Sequence, residues 1–197
     1  MSAISGISTT SPYLYGHIAS GNRLMSAADG AAELAITEKE NAQITGINTG
    51  TKNLNDGVSL LKTSDSALGS ITSSLQRMRE LALRASSGIL NDANRADIQR
   101  EVDQLKEQIN LVANQTNFNG RSLLDGSQNK GIELVGDANG GSINIHNSIN
   151  STLDALGLAD FDVTKDFDIQ DIDKALDKVT GDRSTLGAQY NKLEYAI

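Results

Sequence analysis

The chain has 197 residues, a formal net charge of −8 and no cysteine, and only 4% of its residues are aromatic. The acidic balance argues against partners that need a cationic surface, namely nucleic acids and anionic membranes. No run of about eighteen apolar residues is present, which argues against insertion into a membrane, and the lack of cysteine excludes disulfides. A single proline and few aromatics favour a thin core between long helices.

The first segment, residues 1–26, is rich in Ser, Gly and Thr and has no clear hydrophobic period. We therefore predict a loose N-terminal arm over 1–26, with at most a short helix. A core domain is predicted over 27–197, because periodic apolar patterns begin there and continue almost to the last residue.

A long amphipathic helix is predicted over about 31–87. Apolar residues recur every seven positions with a second row between them, and this spacing makes one stripe on an α-helix. The two rows are Ile47, Leu54, Leu61, Leu68, Leu75 and Ala82, and Val58, Ile71, Met78 and Ala85. Such a helix is about 85 Å long and needs partners along its length. The glycines of this stretch are interpreted as points where the missing side chain lets a neighbouring helix approach, with bends as the alternative: Gly46, Gly50, Gly57 and Gly69.

A second helix is predicted over 92–115. Gly88 is the expected residue just past the end of the first helix, and Asn91 or Asp92 is the expected N-cap of the second. Its apolar seam alternates spacings of four and three, as in a coiled coil. The seam residues are Ile98, Val102, Leu105, Ile109 and Val112. The short connection predicts an antiparallel helical hairpin.

A small β-hairpin is predicted over about 131–147. Asn119-Gly120 gives a turn signal before it, and two short apolar segments flank a glycine-rich connection at 136–141. That connection lacks the Lys-Ser/Thr of a phosphate-binding loop, so a hairpin turn is the favoured interpretation. Three leucines that follow are expected to fold over the end of the hairpin: Leu153, Leu156 and Leu158.

A third long helix is predicted over 168–197, again with apolar residues three and four apart and with Arg183 on the seam where an apolar residue is expected. The predicted fold class is therefore mainly α. It is an elongated antiparallel helical rod of two N-terminal helices and one C-terminal helix, with a small β-hairpin.

No catalytic constellation can be named from the residues, so we predict no enzyme, no cofactor and no metal site. The two histidines, His17 and His146, do not lie in an HExxH pattern. The acidic stretch 166–173 lacks the glycine and the terminal glutamate that a calcium-binding loop requires.

Three stretches carry specific motifs in order: residues 22–88 contain "LQRMRELA", residues 97–127 contain "TNFNG", and "DKVTGDRSTLGAQYNKLEYAI" lies near the end. Together these stretches resemble bacterial flagellin. The resemblance implies a core domain of two N-terminal helices, a β-hairpin and one C-terminal helix. It implies a secreted structural subunit of the extracellular flagellar filament, whose partners are other flagellin subunits.

The same resemblance leaves an alternative open. The family's channel-lining terminal segments have no clear counterpart before Asn22 or after Ile197, so a truncated or naturally short monomeric core is also expected. The alternative function is a non-polymerising secreted or cell-surface binding module. An enzyme ranks last, since the chain has no inserted protease motif.

The resemblance also implies recognition by the mammalian Toll-like receptor for flagellin. The matching positions are Arg77, Leu81 and Glu101, and Arg79 and Glu80 are further candidates. Arg77 and Leu81 lie four residues apart and share one helix face. In a filament the same surface is expected between subunits. The competing interpretation is that Arg77 and Glu101 are ordinary solvated charges and that Leu81 belongs to the core.

Overall fold

The computed structural model describes residues 19, 21, 30–128, 131–145 and 148–197. The helices are α1 (Ala31–Ala85), α2 (Asp92–Gln115), α3 (Leu153–Leu156) and α4 (Ile169–Glu194), and the strands are β1 (Asn117–Phe118), β2 (Arg121–Ser122), β3 (Ile132–Val135) and β4 (Ser142–Ile145). The predicted fold class, a mainly helical rod with small antiparallel strand pairs, is confirmed. The division between an arm over 1–26 and a core over 27–197 stays a prediction, because most of the arm lies outside the described residues.

The helix α1 has 55 residues and two parts that differ in burial. In the covered part, residues 50–85, the seven-residue row from Leu54 to Ala82 is at most 1% exposed. In the projecting part, residues 31–49, only Leu34 and Gly46 are even partly buried. Ile47 is 53% exposed, so the buried stripe begins one heptad later than the sequence pattern predicts.

The helix α2 packs antiparallel beside the covered part of α1 and buries Ile98, Val102, Ile109 and Ala113. Its N-cap is Asn91, whose Oδ1 accepts a hydrogen bond from the Asn94 N–H at 2.8 Å, as predicted for this residue type.

The end of α1 differs from the prediction. The helix stops at Ala85, and Gly88 is not among the glycines with a positive φ, so Gly88 does not form a left-handed cap. The N–H groups of Ser86 and Ser87 instead donate to carbonyls of the last turn, which closes the helix without a glycine.

The helix α4 runs antiparallel along the other side of α1 and begins at an N-cap, Asp168, that accepts from the Gln170 N–H at 2.9 Å. Its buried residues are Ile172, Ala175, Val179, Leu186 and Leu193. Arg183, predicted to interrupt this seam, lies at its edge, where its Nε donates to Oδ1 of Asp65 at 2.8 Å. The charge is thereby paired while its neighbours fill the core.

The hairpin β3–β4 pairs Ile132 with Ile145 at its open end and Val135 with Ser142 next to its turn. It lies against α1 at positions without a side chain. A Cβ at Gly46 would be 2.7 Å from the Cβ of Ala138, one at Gly50 would collide with the Gly136 oxygen, and one at Gly57 would collide with the Leu134 side chain. Close packing is confirmed at these three glycines, although the hairpin, and not a neighbouring helix as expected, makes the closest approach. The close-packing interpretation is wrong for Gly69, where an added Cβ would have no heavy atom within 4 Å.

A second, smaller hairpin forms where the sequence predicted only a turn. The strands β1 and β2 pair through Asn117 with Ser122 and Phe118 with Arg121, around the turn Asn119-Gly120.

The leucines after the large hairpin do not cover its end, contrary to expectation. The short helix α3 packs against α2 and α4, where Leu156 and Leu158 are buried. Two lysines hold this region: Lys106 Nζ donates to the Ala159 oxygen at 2.7 Å, and Lys178 Nζ donates to the Ala155 oxygen at 2.7 Å. The leucines are therefore part of the core of the helical rod.

Candidate contact surface on the helical hairpin

The residues predicted as contact sites lie where the last turns of α1 meet the first turns of α2. In this segment α1 buries four apolar residues completely or nearly so, namely Met78, Leu81, Ala82 and Ala85, whereas Leu83 is 48% exposed. The charged residues between them, Arg77, Arg79 and Glu80, are therefore directed away from the core by the helical period. Antiparallel packing brings Glu101 of α2 beside them.

Three of the predicted residues form one ion cluster, called the Arg77 cluster below. Arg77 Nε donates to Oε1 of Glu101 at 2.7 Å, and Arg77 Nη1 donates to Oε2 of Glu80 at 3.0 Å. The side chains of Arg77, Glu80 and Glu101 are 48%, 68% and 43% exposed. The cluster thus joins α1 to α2 and presents both charge signs to solvent.

The hydrogen bond to Glu101 raises the pKa of the Arg77 guanidinium above its ordinary value, and the bond to Glu80 adds to this effect. Because the guanidinium is permanently charged, the two carboxylates fix its orientation rather than its protonation state. An arginine held in this way loses less side-chain freedom when a partner binds. The arrangement suits recognition of a partner by charge and hydrogen bonding.

Arg79 lies on a different side of α1 from the Arg77 cluster. Its Nε donates to Oδ1 of Asp173 on α4 at 2.6 Å, and this bond raises the pKa of Arg79. Asp173 was not predicted from the sequence as part of the surface. Its position next to Ile172, a seam residue of α4, was the available signal that it would lie at the α1–α4 boundary.

Leu81 lies beneath the surface, with 2% of its area exposed. It belongs to the floor of a shallow groove between the end of α1 and the start of α2, and the same groove is lined by Leu90, Ile98 and Glu101. The burial of Leu81 agrees with the competing interpretation of this residue. A partner at this surface would meet the charged rim before it met the leucine.

Metal-binding groups and membrane-spanning helices are not found in the described part of the chain. Within residues 30–128, 131–145 and 148–197, no group of three His, Asp or Glu residues is placed to hold a metal ion. No helix over the same ranges combines the length and the apolar character needed to cross a membrane. His17 and His146 lie outside the described residues.

Sequence comparison places the chain beside known proteins. The family model described as the bacterial flagellin N-terminal helical region matches residues 13–129. Flagellin of Halalkalibacterium halodurans is 38% identical over 91% of this chain and 68% of its own length. Flagellin of Clostridium tyrobutyricum is 37% identical over 91% of this chain and 46% of its own length, and flagellin of Bacillus subtilis is 32% identical over 91% and 71%. The chain thus spans between 46% and 71% of the length of these relatives.

Solved structures give a consistent result. Bacillus cereus flagellin is 34% identical, with a TM-score of 0.65 over 74% of this chain and 86% of that one. A putative flagellar hook-associated protein from Vibrio parahaemolyticus has a TM-score of 0.70 over 87% of this chain and 92% of that one, at 17% identity. The second match concerns the fold alone, since the identity is low.

Proposed function

The chain belongs to the bacterial flagellin family, and on that premise we propose that it is a structural subunit of the extracellular flagellar filament, with other flagellin subunits as its partners. The observation that carries this proposal is the projecting part of α1. Ile36, Ile44 and Ile47 are 59%, 55% and 53% exposed there, and helices in proteins are stabilised chiefly by packing of an apolar face. A contact between copies supplies that packing.

The geometry of a rod supports assembly into a filament rather than a closed oligomer. Contacts between different surfaces of identical rods repeat without closing and generate helical polymers. The projecting part and the α1–α2 turn lie at opposite ends of α1, about 60 Å apart at 1.5 Å per residue. Surfaces so far apart can engage different neighbours at once.

Electron microscopy and sedimentation of the gene product test the proposal. We expect tubes or fibres from the parent chain. Ile44→Asp should suppress them, because it places a charge in the apolar contact, whereas Gln43→Asp adds the same charge one residue away on another face of α1 and should retain them. Persistent monomers of the parent chain would contradict the proposal and favour the alternative, a non-polymerising secreted or cell-surface binding module.

We further propose that the Toll-like receptor for flagellin recognises the Arg77 cluster. The support is the family resemblance together with the exposure of Arg77, Glu80 and Glu101 on one face. Arginine with adjacent apolar surface is a frequent anchor of protein interfaces. Leu81 supports this surface from below, and Arg79 contributes on the neighbouring side through its position against α4.

A receptor signalling assay with monomeric protein tests this second proposal. Arg77→Ala should reduce potency by about tenfold or more, as expected for loss of an interface anchor worth about 1.4 kcal/mol or more. Arg121→Ala is the matched control, because it removes an exposed arginine from the β1–β2 hairpin. Unchanged potency of Arg77→Ala, with an intact helical spectrum by circular dichroism, would remove Arg77 from the receptor site.

A further inference from the structure

The chain contains two Asn-Gly pairs, Asn119-Gly120 and Asn139-Gly140, and each lies in the turn of a β-hairpin. All four residues are exposed. Asn-Gly is chemically labile because glycine has no Cβ to keep its backbone nitrogen away from the asparagine side chain. The two turns differ in how firmly the structure holds that nitrogen and that side chain.

The turn at Asn139 is held by three hydrogen bonds and by a packing contact with α1. Oδ1 of Asp137 accepts from the N–H groups of Asn139 at 2.7 Å and Gly141 at 2.8 Å, and the Gly140 N–H donates to the Asp137 carbonyl at 3.4 Å. The preceding residue, Ala138, packs against Gly46 of α1. Movement of this turn therefore requires both its hydrogen bonds and its contact with the helix to break.

The turn at Asn119 is held much less. Asn119 has a φ of 50° and Gly120 a φ of 76°, and among the described residues neither the Asn119 side chain nor the Gly120 N–H has a hydrogen-bond partner. A Cβ placed at Gly120 meets nothing within 4 Å. The hairpin consists of two residue pairs, and such short pairings open readily.

We infer that Asn119 is a site of spontaneous, intramolecular deamidation. When the β1–β2 hairpin opens, the Gly120 backbone nitrogen loses its proton to hydroxide or water and attacks the side-chain carbonyl carbon of Asn119. The carbon–nitrogen bond of the side-chain amide breaks, and ammonia leaves with a proton from solvent. Water then opens the resulting five-membered imide at either carbonyl, which yields aspartate or isoaspartate.

Both products change this corner of the molecule. Each adds one negative charge two residues before Arg121. The isoaspartate product also lengthens the main chain by one carbon, which displaces the pairing of Phe118 with Arg121. The buried residues Leu123 and Leu124 begin two positions after Arg121, so the modified hairpin is attached directly to the core.

The inference is tested by incubating the purified chain in mildly alkaline buffer and quantifying aspartate and isoaspartate at both positions by peptide mass spectrometry. We expect several-fold faster conversion at Asn119 than at Asn139. In denaturant the two rates should become similar, because both sites then have the same Asn-Gly sequence and no fixed turn. Conversion at Asn119 that is no faster than at Asn139 in the folded chain would overturn the inference.

Two variants test the cause. Asn119→Gln should abolish the product at position 119 and leave the rate at Asn139 unchanged. Asp137→Ala removes the carboxylate that holds the second turn and should bring the rate at Asn139 toward that at Asn119. If the rate at Asn139 stays unchanged in Asp137→Ala, the contact of Ala138 with Gly46, rather than the hydrogen bonds to Asp137, protects the second turn.

Discussion

The two parts of α1 are continuous in sequence and alike in helical pattern, yet they differ in what covers them. The covered part is flanked by α2, α4 and the β3–β4 hairpin, and its leucines are at most 5% exposed except Leu83, which is 48% exposed. In the projecting part, apolar residues with the same helical spacing are exposed to solvent. A heptad pattern therefore identifies the helix surface that needs a partner. Whether that partner is another part of the same chain depends on how far the neighbouring elements extend along the helix.

The largest expected difference between the two parts comes from removing one apolar side chain in each. Leu68 is fully buried, so Leu68→Ala should lower the free energy of unfolding by about 2–5 kcal/mol through lost burial and a cavity. Ile44 is 55% exposed, so Ile44→Ala should stay within about 0.5 kcal/mol of the parent chain. Chemical denaturation followed by circular dichroism measures both. Equal losses would show that the projecting part is covered even in the isolated chain.

The next comparison uses glycines of α1 that differ in their surroundings. Gly50→Ala places a Cβ against the Gly136 oxygen, and such overpacking costs about 1–3 kcal/mol. Gly69→Ala meets no atom within 4 Å and should stabilise the helix by about 1 kcal/mol through its better helix propensity. Thermal unfolding should therefore shift in opposite directions. Stabilisation by both substitutions would contradict the close contact between α1 and the hairpin.

A smaller effect is expected from a carboxylate in the loop beside α2. Oδ1 of Asp162 accepts from Oγ1 of Thr164 at 2.6 Å and from its N–H at 2.9 Å, and these bonds lower the pKa of Asp162 from 3.8 to about 2. A carboxyl whose folded pKa is depressed stabilises the fold above its unfolded pKa, and this contribution is lost as the pH falls through the folded pKa. Asp162→Asn should therefore cost about 1 kcal/mol at neutral pH and much less near pH 2. Denaturation midpoints measured across this pH range check the loss.

Asp182 has a pKa shift in the opposite direction from Asp162, so its variant serves as a control for the pH dependence. Burial raises the pKa of its carboxyl, and its Oδ2 has no hydrogen-bond partner among the described residues. A raised folded pKa means that stability falls as the pH rises from the unfolded pKa through the folded one. Asp182→Asn should raise the midpoint of thermal unfolding at neutral pH and lose this advantage in acid. If the unfolding midpoints of the Asp162 and Asp182 variants changed with pH in the same way, the opposite pKa shifts of the two carboxyls would be contradicted.

The smallest effect is expected for the ion pair at the edge of the α1–α4 seam. Arg183 and Asp65 have side chains that are 40% and 48% exposed, and pairs in such positions contribute less than about 1 kcal/mol. Arg183→Ala should cause a loss of this size at low ionic strength and less at high salt, because exposed charges are screened. A larger loss that salt does not reduce would show that the arginine stem, rather than its charge, supports the seam.

The helices were predictable because the apolar periodicity is long and the caps are local. Asn91 and Asp168 each precede a periodic run and cap it through their own side chains. The end of α1 was predicted two residues too late, because Gly88 was taken as the residue that ends the helix. The helix ends earlier, where the N–H groups of Ser86 and Ser87 donate to carbonyls of the last turn. The β1–β2 hairpin was missed as a pair of strands because two residues per strand leave no alternation to detect.

The contact surface was less predictable than the fold. Sequence separation placed Arg77 and Glu101 on neighbouring helices, but not in one ion cluster, because the cluster depends on the antiparallel register of α1 and α2. The burial of Leu81 follows from its place among Met78, Ala82 and Ala85 on the same stripe. The partner of Arg79 required knowledge of how α4 lies along α1, which no local pattern specifies.

The alignment of α4 along α1 is not fixed by the repeating apolar residues alone. If one helix slid by seven residues, about 10 Å, apolar residues would again face apolar residues, and the seam by itself would resist such a slip only weakly. The pairs Arg79–Asp173 and Arg183–Asp65 fix the two helices at separate points along their length. A slip of seven residues would separate both pairs, so these exposed charges favour one alignment of the two helices even though each contributes little to stability.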